Sequence, residues 1–314
     1  MTAQSGQPRS SLWHRFLVRS KIKQTWPLHL LLLVPIVMVA IFNYGPMVGI
    51  SIAFQDYMPT KGFFGSPWVG LEHFQYLMKL PDVPQVIKNT VVISFWKLVL
   101  TMFSSLLFAL LINEVRNRHF KRFSQSVLLF PYFMSWVVLG GIIIDVFQQT
   151  GAVNKILTSI GLEPLSVLVD QGNFRYLLYG TNIWKDMGYN MVIFLAAISS
   201  IDPALYESAV IDGANRWQQT LHITLPSIAP MIVLLVTLAL GGILNAGFDQ
   251  IFVLYSTPVY QVADIIDTYV YRLGFLSAQY SLATAVGLFK SLVGFVLIII
   301  SYWMADRFAG YRIF

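Results

Sequence analysis

The sequence contains no cysteine. Disulfides, thiol catalysis and thiolate metal sites are therefore excluded, while nothing follows about compartment. Charge is scarce as well. Asp, Glu, Lys and Arg make up 11% of the 314 residues, where a soluble domain carries about a quarter. The five histidines, at 14, 29, 73, 119 and 222, show no metal-ligand spacing. No Walker loop, G-x-S-x-G elbow or H-E-x-x-H pair occurs. The chain is accordingly read as non-enzymatic. One enzymatic alternative, a membrane-embedded carboxylate enzyme, stays open on the charges alone.

What is present is apolar surface. Hydrophobic residues reach 56% and mean hydropathy is +0.64. Long apolar runs with so few charges describe an integral membrane protein. The fold class expected is all-α and polytopic, with six spans near 28–52, 91–111, 126–146, 176–198, 228–254 and 282–304. Pro35 lies inside the first span, and Gly45-Pro46 predicts a bend in it. This run is too long for a signal peptide and lacks a small-residue cleavage site, so it is expected to be retained. Residues 1–27 form a separate basic segment, with Arg9, Arg15, Arg19, Lys21 and Lys23 among Leu12, Trp13, Phe16 and Leu17. An interfacial amphipathic helix or a solvated tail fits it. Residues 28–314 make one membrane domain. In the loop that follows the first span, residues 68–74 predict a short element at the membrane surface.

The net charge is +6, but the basic residues cluster beside the spans. Anionic lipid and topology account for them, and no nucleic acid is expected. With the N-terminus inside, the inner segments hold 12 Lys and Arg, the outer loops six and the spans three, which makes the 21 present. This satisfies the positive-inside rule and places both termini and the 202–226 loop in the cytoplasm.

That loop reads DPALYESAVIDGANRWQQTLHITLP. Asp202 suits an N-cap and Pro203 the first helical position. Leu205, Ala209 and Asp212 follow at helical spacing, and Gly213 suits a left-handed stop. Asn215 and Gln218 predict a capping box. Trp217, Leu221 and Leu225 give the next helix an apolar stripe, which Pro226 ends or bends. Two short amphipathic helices hinged at a glycine are expected.

The spans carry six ionisable residues: Lys97, Asp145, Lys185, Asp186, Asp249 and Lys290. A lipid-facing charge at mid-bilayer costs roughly 2.5–3.5 kcal/mol. The set is therefore expected to face the bundle interior, pair internally or reach the headgroups. As a group it suggests a hydrated cavity approached from outside; packing salt bridges and snorkelling are the plain alternative. Trp184, Tyr189 and Asn190 stand beside Lys185 and Asp186, and Asn245 and Gln250 beside Asp249. Aromatic faces with amides and carboxylates suit a carbohydrate, and the lysines leave room for an acidic one. Interface anchoring is the other reading of the aromatics.

Glu207, Ser208, Ala209, Gly213, Ile223, Leu225 and Pro226 resemble the E-A-A-x3-G-x9-I-x-L-P loop of ABC importer permeases, with Ser208 in place of one alanine. The whole chain is similar to permease subunits of maltose-type oligosaccharide importers, closest to the polysaccharide and alginate branch. The softer strings are Asn113 to Arg116, 68–74, Phe248-Asp249-Gln250 and 260–290. The resemblance implies that Glu207, Ser208, Ala209, Asp212 and Gly213 couple to an ATPase subunit, where Glu207 meets a basic residue. It implies sugar contacts from the span before this loop, at Lys185, Asp186 and Tyr189, and from the matching part of the span after it, at Asn245, Asp249 and Gln250; Trp184 and Asn190 join these candidates as their neighbours in the fourth span. The chain then needs no cofactor of its own, ATP and Mg being bound by two partner ATP-binding subunits. A second homologous permease subunit, an extracytoplasmic solute-binding protein and the bacterial inner membrane complete the expectation. The alternatives are a permease for another solute such as a peptide, and a secondary transporter without ATPase.

Overall fold

Residues 22–309 are described here, in a computed structural model. Most of the basic 1–27 segment and Arg312 lie outside them. The chain divides into two units, Met1–Ser51 and Ile52–Phe314. In the first, α1 (Ile22–Val39) runs into a π turn, Ala40–Tyr44. The predicted bend at Gly45-Pro46 is a change of winding, because a 3-10 stretch, Gly45–Phe54, takes over there. Apolar side chains from Leu28 to Met47 are exposed, as lipid-facing residues are.

The second unit is built around α2 (Asp82–Glu114), 33 residues long. It contributes to three buried clusters: Ile93 packs with Leu139, Phe174, Leu178 and Ile251, Val86 with Ile266, Leu282 and Val286, and Ala109 and Ile112 with Met191, Phe194 and Ile228. Its other buried face is polar, with Asn89, Thr90, Ser94, Lys97, Thr101 and Ser105. Thr90, Ser94 and Ser105 donate to carbonyls four residues back, at 2.8, 2.7 and 2.6 Å. That bond satisfies a hydroxyl without a partner helix.

The third crossing differs from the continuous helix expected over 126–146. It is made of α3 (Arg118–Leu129), a 3-10 turn (Phe130–Phe133) and α4 (Trp136–Phe147). Pro131 supplies no N–H, and Ser135 accepts from the Val138 N–H at 3.3 Å to start the second half. Asn117 caps α3, accepting from the N–H groups of His119 and Phe120. The following loop carries a short helix, Ala152–Ser159, pinned by Asn154 to Leu165. The fourth crossing, α5 (Gln171–Ser199), is unbroken and capped by Asp170.

After it comes α6 (Pro203–Ile211), bent by 69° from α5. The expectation of two short helices needs correction beyond this point. Arg216–Gln219, a π turn at Thr220–Thr224 and α7 (Leu225–Gly241) run on as one crossing. Pro226 neither ends nor breaks it, since the π turn falls just before and Pro226 sits in the first turn of α7. Of the expected stripe, Trp217 is 69% and Leu221 39% exposed, while Leu225 is half-buried against the cluster that holds Met191, Phe194 and Ile228.

The fifth span does not continue to Leu254. It stops at Gly241, and residues 242–247 form a break that Gly247 closes at φ +89°. Then α8 (Phe248–Leu254) follows as a separate helix, and after it α9 (Ile266–Tyr271) and a π turn, Arg272–Leu276. Buried Asp264 pairs with Arg272 between these pieces. The last crossing is α10 (Tyr280–Ala309). Leu28–Phe54, Asp82–Glu114, Trp136–Ser159, Arg216–Gly241 and Tyr280–Trp303 are each long and apolar enough to span, and the bent pair of α5 and α6 passes the same test, which gives up to six among the described residues.

Candidate functional site

Two broken spans and two whole ones line an open cavity of about 340 Å³. The second crossing supplies Ser94, Lys97 and Thr101, the broken third Tyr132 and Trp136, the fourth Asn182, Asp186, Tyr189 and Asn190, and the break in the fifth Asn245. Tyr132 and Tyr189 stack with ring centroids 4.5 Å apart and planes 11° from parallel. Asn182 donates to Thr101 Oγ1 at 3.1 Å. The lining thus offers stacked rings, amides and hydroxyls around one carboxylate.

Asp186 accepts no hydrogen bond and forms no ion pair among the described residues, so its oxygens face the cavity unspent. The lysines are placed otherwise. Lys97 Nζ, in the middle of α2 and buried, donates to the Ala246 carbonyl at 2.6 Å and to Gln250 Oε1. Gln250 in turn donates to the Leu178 carbonyl at 2.8 Å and to Thr181 Oγ1 at 2.7 Å. Lys185 stands 14 residues from either end of α5. It donates to the carbonyls of Pro131, Tyr132 and Met134 at 3.4, 2.9 and 2.5 Å. Its ammonium also lies over the rings of Tyr132 and Trp136, at 5.7 and 5.6 Å. Lys290 donates to Asn245 Oδ1 at 2.8 Å and pairs with Asp267 at 2.6 Å.

The six charges expected inside the spans therefore form no ion pair with one another among the described residues. The reason is the two breaks. Each leaves backbone carbonyls without helical partners deep in the bundle, and a lysine from a neighbouring span satisfies them.

Of the residues singled out for substrate, Asp186, Tyr189, Asn190 and Asn245 line this cavity. Trp184, Lys185, Asp249 and Gln250 do not. Trp184 is 43% exposed, Asp249 is exposed, and Lys185 and Gln250 are buried behind the lining. Sequence reasoning passed over Tyr132, Trp136 and Asn182. The signal for the first two was the string Pro131 to Trp136, where a proline and a capping serine four residues apart interrupt an apolar run.

The other candidate surface is the α6 elbow. Asp202 accepts from the Ala204 N–H at 2.9 Å, with Pro203 at the first helical position. At the far end Gly213 takes φ +80°. Its N–H donates to the Val210 carbonyl at 3.1 Å, and the Ala214 N–H to the Ala209 carbonyl at 2.8 Å. This is a Schellman stop, and it requires a left-handed residue where only glycine is unstrained. Asn215 and Gln218 form the expected capping box. Tyr206 and Thr224 hydroxyls meet at 2.9 Å, tying the elbow to the returning helix, and Arg216 pairs with Glu114 at the end of α2. Glu207, Ser208, Asp212 and Gly213 are all exposed, and Ala209 is half-buried. So too are large apolar side chains exposed beside them: Val210 at 62%, Ile211 at 86% and Trp217 at 69%.

Residues 105–310 match the model for the "Binding-protein-dependent transport system inner membrane component" family. Protein LplB of Bacillus subtilis (strain 168) is 40% identical over 297 residues, covering 94% of this chain and 92% of that one. The polygalacturonan/rhamnogalacturonan transport system permease protein YteP of the same organism is 40% identical over 289 residues, covering 92% and 90%. A solved bacterial ABC transporter involved in the import of the acidic polysaccharide alginate has a chain of TM-score 0.86 and 39% identity, covering 93% of this chain and 99% of that one. A bacterial alginate ABC transporter in complex with an alginate pentasaccharide-bound periplasmic protein gives 0.84 and 38%, covering 94% and 97%. These are transport permeases, so neither the enzymatic nor the secondary-carrier alternative survives. The chain belongs to the binding-protein-dependent inner-membrane transport components, as a multi-pass permease of an ABC importer.

Proposed function

We propose that this permease passes oligosaccharides, uronate-containing ones included, through the cavity between its second, third, fourth and fifth crossings. The observation that carries the reading is the chemistry of the lining. Stacked Tyr132 and Tyr189 offer faces for sugar C–H groups, while Asp186, Asn182, Asn190, Asn245 and Thr101 offer partners for hydroxyls. The polysaccharide names borne by similar chains support the same class, and none of those compared with it above is named for peptides. Trp184, Lys185, Asp249 and Gln250 have a supporting place in this proposal rather than contact with sugar.

The α6 elbow, with Glu207, Ser208, Ala209, Asp212 and Gly213, docks on an ATPase subunit. Its exposed apolar side chains and its rigid caps at both ends suit a part that transmits motion. ATP and Mg are then bound by two partner subunits, and a second homologous permease closes the other side of the pathway. A solute-binding protein delivers the sugar on the face away from the elbow. That orientation keeps 202–226 and both termini in the cytoplasm, with 1–27 a basic segment on that side and 28–314 the membrane domain.

The test is ATP hydrolysis by the assembled complex with its binding protein, across neutral and uronic-acid oligosaccharides and peptides. Stimulation by at least one saccharide class and none by peptides is expected. Stimulation by peptides alone would overturn the reading.

A further inference from the structure

Part of the cavity wall is backbone that has left helical geometry, at Tyr132 and at Gly242, Ile243, Asn245, Ala246 and Gly247. Residues 242–247 and 130–135 are breaks, and both lie deep within the bundle. Lys185 is at the midpoint of the 29-residue α5, about 21 Å from either end at 1.5 Å per residue. Lys97 is 15 residues from one end of α2 and 17 from the other. Each break therefore frees carbonyls at the depth of the membrane, where non-helical backbone is tolerated only if protein or a cavity satisfies it.

Each break also has backbone carbonyls held by a lysine from another span, and Lys290 reaches the Asn245 side chain of the fifth-span break as well. Lys97 holds the Ala246 carbonyl and, through Gln250, reaches Leu178 and Thr181 on α5. The fit is close: a Cβ on Gly247 would stand 2.9 Å from Lys97 Nζ. Lys185 collects three carbonyls of the other break and lies beneath the rings of Tyr132 and Trp136. An ammonium has three protons to donate. All three of Lys185 are committed to carbonyls, and two of Lys97 are committed within the protein.

We propose that Lys97 and Lys185 are positioning residues, which fix two broken spans so that their loops form part of the cavity wall, and that neither reads charge on the substrate. The proposal rests on the oligosaccharide reading only for its transport test. Its opposite is natural, since a lysine inside a pathway that passes uronates invites the role of carboxylate receptor. The geometry points away from it, because all three donors of Lys185 and two of the three of Lys97 are taken by protein acceptors.

The two roles separate by experiment in the assembled complex. Lys97→Gln and Lys185→Gln remove the charge, while Lys97→Arg and Lys185→Arg keep a cationic donor. Import of trigalacturonate and of its methyl ester compares one backbone with and without charge. Positioning predicts that each Gln variant lowers both imports by the same factor, roughly tenfold or more, and that Arg restores part of each. A loss at least tenfold greater for the free acid than for the ester would overturn the proposal.

A second measurement needs no substrate. The absence of native cysteine in this chain lets spin labels be placed at Leu238→Cys and Phe252→Cys, flanking the fifth-span break, or at Phe123→Cys and Val137→Cys, flanking the third. Lys97→Gln should broaden the first distance distribution and Lys185→Gln the second. Unchanged distributions would overturn the proposal. Were the unmodified complex to import neither sugar, the galacturonide reading would fall, and the spin-label distances would still decide the role of the lysines.

Discussion

At the scale of single residues, the cavity joins one open acceptor to an aromatic stack. Asp186 has no hydrogen-bond or ion-pair partner among the described residues, with Lys97 and Lys185 near enough to act on it only through their charge, and charge-assisted hydrogen bonds are about twice as strong as neutral ones. Asp186→Asn keeps the size and removes the charge. It should raise the half-saturating substrate concentration about tenfold, read in ATPase stimulation by the loaded binding protein. An unchanged value would remove Asp186 from the sugar's path. Tyr189→Ala removes one of the ring faces that the proposal offers to sugar C–H groups, and an aromatic face contributes about 0.5–1.5 kcal/mol beyond area burial. A rise of roughly 2- to 13-fold in the same quantity follows. The types of residue needed here were legible in sequence, since aromatic, amide and carboxylate groups gather in the fourth span. Which of them turn inward was not. Trp184 and Tyr189 look equivalent in the sequence, yet only Tyr189 finds a stacking partner, and that partner lies 57 positions earlier, at Tyr132.

At the scale of elements, local and remote causes divide sharply. The elbow was readable almost atom by atom: Asp202, Pro203, Gly213, Asn215 and Gln218 all act within a few residues of themselves. Replacing Gly213 by Val forces a branched side chain into φ +80°, where L-residues lose roughly 1–2 kcal/mol. The expected result is a complex that assembles but loses most sugar-stimulated ATPase activity, with basal hydrolysis kept. Full stimulation in that variant would show that the stop is not needed for coupling. The breaks at 130–135 and 242–247 were not readable in the same way. An apolar run with glycines or one proline can stay helical. Whether it opens depends on who satisfies the freed carbonyls, and Lys97 stands 149 positions before Ala246. Packing adds a further remote constraint. A Cβ on Gly188 would stand 2.1 Å from the Leu128 carbonyl oxygen, so α3 meets α5 backbone to backbone. Gly188→Leu should push the third crossing away and lower the melting temperature of the purified complex by several degrees; an unaltered melting curve would contradict this contact.

At the scale of the whole molecule, the alternation of six crossings puts the loop holding Glu163 and the elbow holding Glu207 on opposite membrane faces. Both residues are exposed. In intact cells, a membrane-impermeant thiol reagent should label Glu163→Cys and spare Glu207→Cys until the membrane is opened. The reverse pattern would invert the proposed orientation. The number of crossings was legible because each needs only a long apolar run. Their interruptions stayed hidden because hydropathy averages over them.

The lysine-held breaks bear on attempts to retune what this permease carries. Residues that look most inviting for charge engineering, the cations in mid-membrane, are the ones whose exchange would loosen the scaffold. Asn182, Asn190 and Asn245 sit on the same wall and hold up less of it. Libraries aimed at altered cargo preference are better spent there, with Lys97 and Lys185 left untouched.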